Sequence, residues 1–196
     1  MNQVTNIVIS GVGGQGTILA SRIFGQIAMD NGLDIKVSEV HGMSQRGGSV
    51  ITYVRYGKEI FSPIVEEGEA DYLLAFESLE AIRWLHLLKK GGTVIMSTQQ
   101  IMPSVVLSGV AEYPKDIAEK LEQFKDISII GIDALKIAKD LNFIRAANVA
   151  LIGAFAAVSD LPYESFTKSL EIILNGRNIR ENMSAFEEGY NSVRRI

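Results

Sequence analysis

No cysteine occurs in this chain of 196 residues. That absence excludes disulfides, thiolate nucleophiles, zinc–thiolate sites and cysteine-ligated iron–sulfur clusters on this polypeptide. Histidine is almost as scarce, with only His41 and His86, far apart in sequence. Basic residues do not outnumber acidic ones: the net charge is −4. Nucleic acid and anionic membrane both need a basic face, so neither is expected as a partner. Long apolar runs are missing too. The longest, Val149 to Val158, is far short of the ~20 residues of a spanning helix. The first residues, Met1 to Asn6, are polar and lack a basic leader region. No repeat, low-complexity tract or Pro/Ser-rich linker divides the sequence. These features predict a cytoplasmic chain folding as a single domain over residues 1–196.

The composition, 47% hydrophobic and 21% charged, is that of an ordinary globular protein. Apolar β-rich runs alternate with helical patterns, which predicts a Rossmann-like α/β fold. The expected core is an open, mostly parallel sheet flanked by helices, with an inserted β-hairpin and a helical C-terminal part. Strands are expected at Asn6–Ser10, Asp34–Val40 (buried), Ser49–Tyr56, Asp71–Phe76, Thr93–Thr98 and Ile127–Ile132. The hairpin is expected to turn at Gly57–Lys58 and return as Ile60–Ile64. Helices are expected at Thr17–Asn31, stopped by Gly32, and at Ser78–Lys90, where Lys89 and Lys90 would suit the negative helix end. From Ala134 onward the pattern is helical, with breaks near Asn142, Pro162 and Gly176. "ANVALIGAFAAV" reads as a small-residue face for core or subunit packing, and the C-terminal "RNIRENMSAFEEGYNSVRRI" as an amphipathic surface or interface helix.

Gly11, Gly13 and Gly16 form G-x-G-x-x-G between the first strand and the first helix. Such a turn lets backbone approach a ligand and aims helix N–H groups at an anion. Thr17 stands where a Walker P-loop has lysine, so this is not a P-loop. The turn alone leaves two readings open: diphosphate binding, or a tight crossover with glycines for packing. A dinucleotide site also wants an acidic residue about 20 residues on, and Glu39 stands near there. The residues after Glu39 do not fit that role. "SEVHGMSQRGGSVITYVRYG" runs from a strand into a polar, glycine-bearing loop and then a hairpin, where a Rossmann fold would have its next helix. In "HGMSQRGGS", Arg46 lies between Gly42 and Gly47–Gly48; it offers a donor fork for phosphate or carboxylate, or pairs with a surface glutamate. His41 could steer a carboxylate or proton, or serve as a hydrogen-bonding strand end. His86 reads as a boundary residue; Glu77 stands at the carboxyl edge of the sheet, where open α/β folds collect ligands, and reads first as a charge complementing the dipole of the following helix.

"GVGGQGTILASRI", "VSEVHGMSQRGGSVITYVRYG" and "EADYLLAFESLEAIRWLHLLKKGGTVIMST" together resemble the γ-type subunit of the 2-oxoacid:ferredoxin oxidoreductases. The likeness is strongest to the small subunits of the indolepyruvate branch. It spans nearly the whole chain, is specific in Gly11–Thr17, Ser38–Gly48 and Tyr72–Glu77, and loosens after Pro114. The resemblance implies oxidative decarboxylation of a 2-oxoacid with thiamine diphosphate, electron transfer through iron–sulfur clusters to ferredoxin, and formation of an acyl-CoA. The γ-type piece helps to form the coenzyme A site. The family's G-T-x-G-A-N-K stretch matches Gly16 to Arg22, with Arg22 replacing lysine. Its lysine-rich S-K-K-S-G-G run matches Met43 to Gly48, where one arginine stands for two lysines.

Carried onto this sequence, the cofactor-binding residues implied are Gly11, Gly13, Gly14, Gln15, Gly16, Thr17, Arg22, Gln45, Arg46, Gly47 and Gly48. Arg46 and His41 are candidate active-site contributors, and no metal ligand is expected. The sequence holds neither cysteine nor the G-D-G…N-N pattern of a thiamine diphosphate and magnesium site. This chain alone is therefore expected to be inactive, and the resemblance implies a large partner subunit carrying thiamine diphosphate, magnesium and [4Fe–4S] clusters, in a heterotetramer of two large and two small chains. An independent NAD(P)-dependent oxidoreductase and a purely structural subunit remain the rival readings.

Overall fold

The computed structural model describes residues 4–41 and 47–194. Gln45 and Arg46 lie outside the described residues. The strands are β1 (Thr5–Val12), β2 (Asp34–His41), β3 (Ser49–Gly57), β4 (Ala70–Ala75), β5 (Leu88–Ser97) and β6 (Ser128–Ile132). The α-helices are α1 (Thr17–Asp30), α2 (Ser78–Arg83), α3 (Ser104–Leu107), α4 (Ile117–Glu122), α5 (Ala134–Asp140), α6 (Ala147–Val158), α7 (Tyr163–Leu174) and α8 (Ile179–Arg194). The strands form one sheet in the order β2-β3-β1-β4-β5-β6. Strand β3 pairs antiparallel with both β1 and β2, and the remaining pairings are parallel. The expected mostly parallel α/β sheet is thus the one found.

Apolar residues on successive positions of β1, β4 and β5 are buried because both sheet faces are covered, as a parallel sheet requires. Ile7, Ile9, Leu74 and Ile95 pack with α1, α6, α7 and α8. Val8, Leu73, Val94 and Met96 pack with α2 and α4 through Ala81, Ile117 and Leu121. Phe24, Phe155 and Tyr72 stack edge to face on the first side, with ring centroids 4.8 and 5.0 Å apart. The small-residue segment expected for packing is α6, whose residues Val149 to Ala156 are all buried. It lies against α8 backbone to backbone. A methyl on Gly153 would stand 2.1 Å from the Phe186 carbonyl oxygen, and one on Gly189 would stand 1.9 Å from that of Ala150. The helical breaks fall where expected: Asn142 has φ 54, Pro162 precedes α7, and Gly176 has φ 78.

Three expectations are corrected. The hairpin is formed by β2 and β3, and Ile60–Ile64 is not a strand. Both edges of β3 are already taken by β1 and β2, so a further strand has nowhere to pair. Pro63 also lacks a ladder donor, and the segment is instead held by the Arg55 guanidinium, which donates to the carbonyls of Ser62 and Ile64 at 3.2 and 2.7 Å. Strand β2 is not buried: it is the sheet edge, with Val37 and Val40 exposed. Helix α2 stops at Arg83, and Lys89 and Lys90 lie in β5, where Lys89 pairs with Asp71 across the parallel ladder. A short 3₁₀ turn, Leu85–Leu87, with its carbonyl at His86 accepting from Gly68, makes the link.

The α6–α8 contact should be sensitive to a single methyl. Gly153→Ala and Gly189→Ala should each cost about 3 kcal/mol or more in urea unfolding, because the clash is with backbone. Gly25→Ala, whose methyl would meet nothing within 4 Å in α1, should instead leave stability equal or raise it by up to about 1 kcal/mol.

Candidate functional site

The first turn is built around an uncapped helix. Gly16, the residue before α1, has φ 93; no side chain caps the helix, and no acidic residue occupies its first turn. The positive end of the dipole is thus left uncompensated by α1's own side chains. Not every glycine of the motif faces outward, however. Gly11 lies in β1, where a methyl would press on Gln15 and Phe76 at 3.0 and 3.1 Å. Gly16 lies under Asn148, whose amide nitrogen would be 2.1 Å from a methyl there.

Gln15 holds two strand ends together. Its Oε1 accepts from the Val12 N–H at 2.7 Å, and its Nε2 donates to the Phe76 carbonyl at 2.8 Å. The amide thus bridges the ends of β1 and β4, where the connections of the sheet depart in opposite directions. Open α/β folds bind ligands at such switch points.

The two glycine-bearing stretches singled out in the sequence meet in space. Gly13 N–H donates to the Gly48 carbonyl at 2.9 Å, and Gly47 N–H donates to the Gly13 carbonyl at 3.4 Å. The β1–β3 register, Val12 opposite Ser49, puts them side by side. Gly14 then stands between two cavities. One, of about 200 Å³, is lined by Gly13, Gly14, Thr17, Glu39 and His41. The other, of about 250 Å³, lies at the switch point and is lined by Gly14, Gln15, Ser97, Gln99, Arg145 and Asn148. Glu39 and His41 are thereby placed at the first cavity, on the exposed end of β2. Arg22 is not brought to either; it lines a third hollow on the far side of Asn148. Sequence reasoning missed Gln99, Arg145 and Asn148. Their only linear signal is polar residues just past β5 and around the start of α6, near the carboxyl edge of the sheet.

Two buried carboxylates support this end of the sheet. Glu77 caps α2, its Oε2 accepting from the Glu80 N–H at 3.0 Å, as its place before that helix predicts. Its Oε1 accepts from the Ile101 N–H at 3.1 Å and from the Tyr113 hydroxyl at 2.5 Å. Glu80 accepts from Arg83 Nε at 3.0 Å, Trp84 Nε1 at 3.2 Å and the Ser49 hydroxyl. Ser49 directly follows Gly48, so Glu80 anchors the base of the loop that meets the glycine turn. Among the described residues no group of three or more metal-ligating side chains occurs, and no helix is long and apolar enough to cross a membrane.

Residues 6–192 match the family described as pyruvate ferredoxin/flavodoxin oxidoreductase, and the chain belongs to that family. It is 40% identical over 195 residues to indolepyruvate oxidoreductase subunit IorB of Thermococcus kodakarensis, covering 97% of this chain and 96% of that protein. It is also 40% identical to the subunit of the same name from Methanothermobacter thermautotrophicus, over 192 residues, 96% of this chain and 97% of that one. The fold is similar to that of a keto/oxoacid ferredoxin oxidoreductase γ subunit from Geobacter sulfurreducens, with a TM-score of 0.71 at 22% identity, over 98% of this chain and 99% of that one. The family and the fold are those the sequence resemblance implied.

Burial and the Glu77 carboxylate push the Tyr113 hydroxyl well above the ordinary tyrosine range, and burial pushes Tyr56 up to about 12. A raised tyrosine pKa favours the folded state while the group is protonated. The contribution is full below the unfolded value near 10 and is lost as pH rises toward about 12 for Tyr56. Stability followed by urea titration should therefore hold to about pH 9 and fall steeply above pH 10. Tyr56→Phe and Tyr113→Phe should each flatten that fall.

Proposed function

We propose that this chain is the small subunit of an indolepyruvate-type 2-oxoacid:ferredoxin oxidoreductase, acting as one γ-type domain over its length in the cytoplasm. The observation that carries the reading is similarity of 35–40% identity over more than nine-tenths of the chain to subunits named indolepyruvate oxidoreductase IorB. Thiamine diphosphate with magnesium on the large partner would supply decarboxylation of the 2-oxoacid, and [4Fe–4S] clusters there would carry electrons to ferredoxin. A chain without cysteine cannot hold such clusters through thiolates.

This chain's part would be to help hold coenzyme A. The uncapped start of α1 favours a diphosphate, and Gly14 and Thr17 line the cavities beside it. Gly13 and Gly48 join the turn to the loop that bears Gln45 and Arg46, and Arg46 would neutralise phosphate charge. Gly11, Gln15 and Gly16 would act by shaping the backbone around that anion. His41 would stand at the rim of the same cavity, within reach of a ligand there.

An exposed apolar segment supports the need for a partner. Around α3, Leu107 is 76% and Val110 80% exposed, with Met102 and Val105 beside them. Clusters of this kind on a protein surface mark interaction sites.

Co-production with the large chain of an indolepyruvate oxidoreductase should give a complex that reduces ferredoxin with an arylpyruvate and coenzyme A, whereas the small chain alone should show no turnover. Isolation of a stable lone chain that binds a nicotinamide nucleotide would overturn the assignment. In the complex, Arg46→Ala should raise KM for coenzyme A about tenfold while assembly is unchanged. An unchanged KM would leave the chain a structural subunit only. Leu107→Ser with Val110→Ser should weaken assembly with the large chain without lowering the unfolding midpoint of the isolated small chain.

A further inference from the structure

The third hollow, of about 300 Å³, gathers Arg22 from α1, Arg145 from the 3₁₀ turn Ile144–Ala146, and Arg177 from the link between α7 and α8. Asn148, Asn178 and Asn182 complete its polar lining. Among the described residues, none of the three arginines forms an ion pair with a carboxylate. Three exposed arginines from three separate elements therefore line one concavity on a chain whose net charge is −4. Like charges collected this way repel, and among the described residues no carboxylate lines the hollow to offset them. An incoming anion would.

The shape of the site narrows the class of anion. Guanidinium forks match the oxygens of a phosphate in pairs, and several forks around one centre suit a tetrahedral group better than a single planar carboxylate. Asn178 has φ 46, and its carbonyl accepts from the Asn182 side chain at 2.8 Å, which fixes the loop carrying Arg177 against α8. Arg145 and Asn148 line both this hollow and the switch-point cavity. The two spaces thus share a wall, and Asn148, packed over Gly16, is the partition between them.

We propose that Arg22, Arg145 and Arg177 form a second anion-binding site, built for a phosphate or diphosphate group and separate from the glycine turn. The site lies across Asn148 from the turn, so a ligand bearing two well-separated phosphate groups could occupy both positions. Its arginines are distinct from the backbone groups offered by the turn. The inference goes beyond the subunit assignment and does not rest on it; failure of either leaves the other standing.

The test is calorimetric titration of the full-length chain with inorganic pyrophosphate, at low and high salt. Binding that weakens as salt rises is expected, and the arginine variants separate the hollow's share of it from any binding at the glycine turn. Arg145→Gln and Arg177→Gln should each weaken it about tenfold, and the double variant about a hundredfold. Lys36→Gln, on β2 and outside the lining of the hollow, should leave it unchanged. Circular dichroism checks that each variant is folded. Equal affinity in the wild type and the double variant would overturn the proposal, as would no binding by the wild type at millimolar pyrophosphate. So would a double variant that keeps pyrophosphate binding but no longer assembles with the large chain, since the arginines would then be docking an acidic segment of that partner.

Discussion

The antiparallel pairing of β3 beside β1 is the constraint on which the functional end of this molecule depends. Strand β1 has an antiparallel neighbour on one side and a parallel one on the other. The parallel side sends the chain off through helices and opens the crevice closed by Gln15. The antiparallel side returns the chain to the point β1 has just left, because Val12 faces Ser49. The loop before β3 must therefore meet the turn after β1, and the Gly13–Gly48 and Gly47–Gly13 hydrogen bonds are the consequence. With a helix in place of β3, as in a plain dinucleotide fold, the two glycine stretches would lie on different layers.

That geometry also divides the charge around α1. On the β2 side of the glycine turn stand Glu39 and His41; on the α6 side stand Arg145 and, past Asn148, Arg22 and Arg177. Gly14 lines the cavities on both sides. The dipole of α1 is common to both, so the two sides differ in the charge of their side chains. On the arginine side the side chains add to the positive end of that dipole, whereas on the other side Glu39 opposes it.

Much of this was legible in linear order, for a local reason. The strand–glycine–helix sequence of Asn6 to Ala28 states its own structure, and the breaks at Asn142, Pro162 and Gly176 follow from backbone preference alone. What failed depended on pairing across the sheet. Ile60–Ile64 has the composition of a strand, but no free edge beside β3 was available. "LLKKGG" reads as a basic helix end, yet parallel pairing with β4 extends it: Ala70 opposes Leu88 and Tyr72 opposes Thr93, the ladder shifting register around Gly91. The site divides the same way. The glycine turn was visible as a motif, whereas Arg145 and Asn148 become neighbours of Gly14 only when α6 packs over the sheet. No periodicity in sequence announces that.

Buried charge shows which parts of this end are meant to stay fixed. Glu80 gathers donors from Arg83, Trp84 and Ser49, and Glu77 from Glu80, Ile101 and Tyr113. A buried carboxylate with one partner removed is costly, so each member of such a network holds the others in place. The network reaches β3 through Ser49 and the segment before α3 through Ile101. It therefore ties the base of the glycine-bearing loop and the exposed apolar segment around Leu107 to the same short helix. A ligand at the glycine turn and a partner seated on α3 would act on opposite ends of one rigid unit. In a subunit that carries no cofactor through thiolates of its own, rigidity of this kind is what it can contribute: a preformed wall against which a partner's chemistry is aligned.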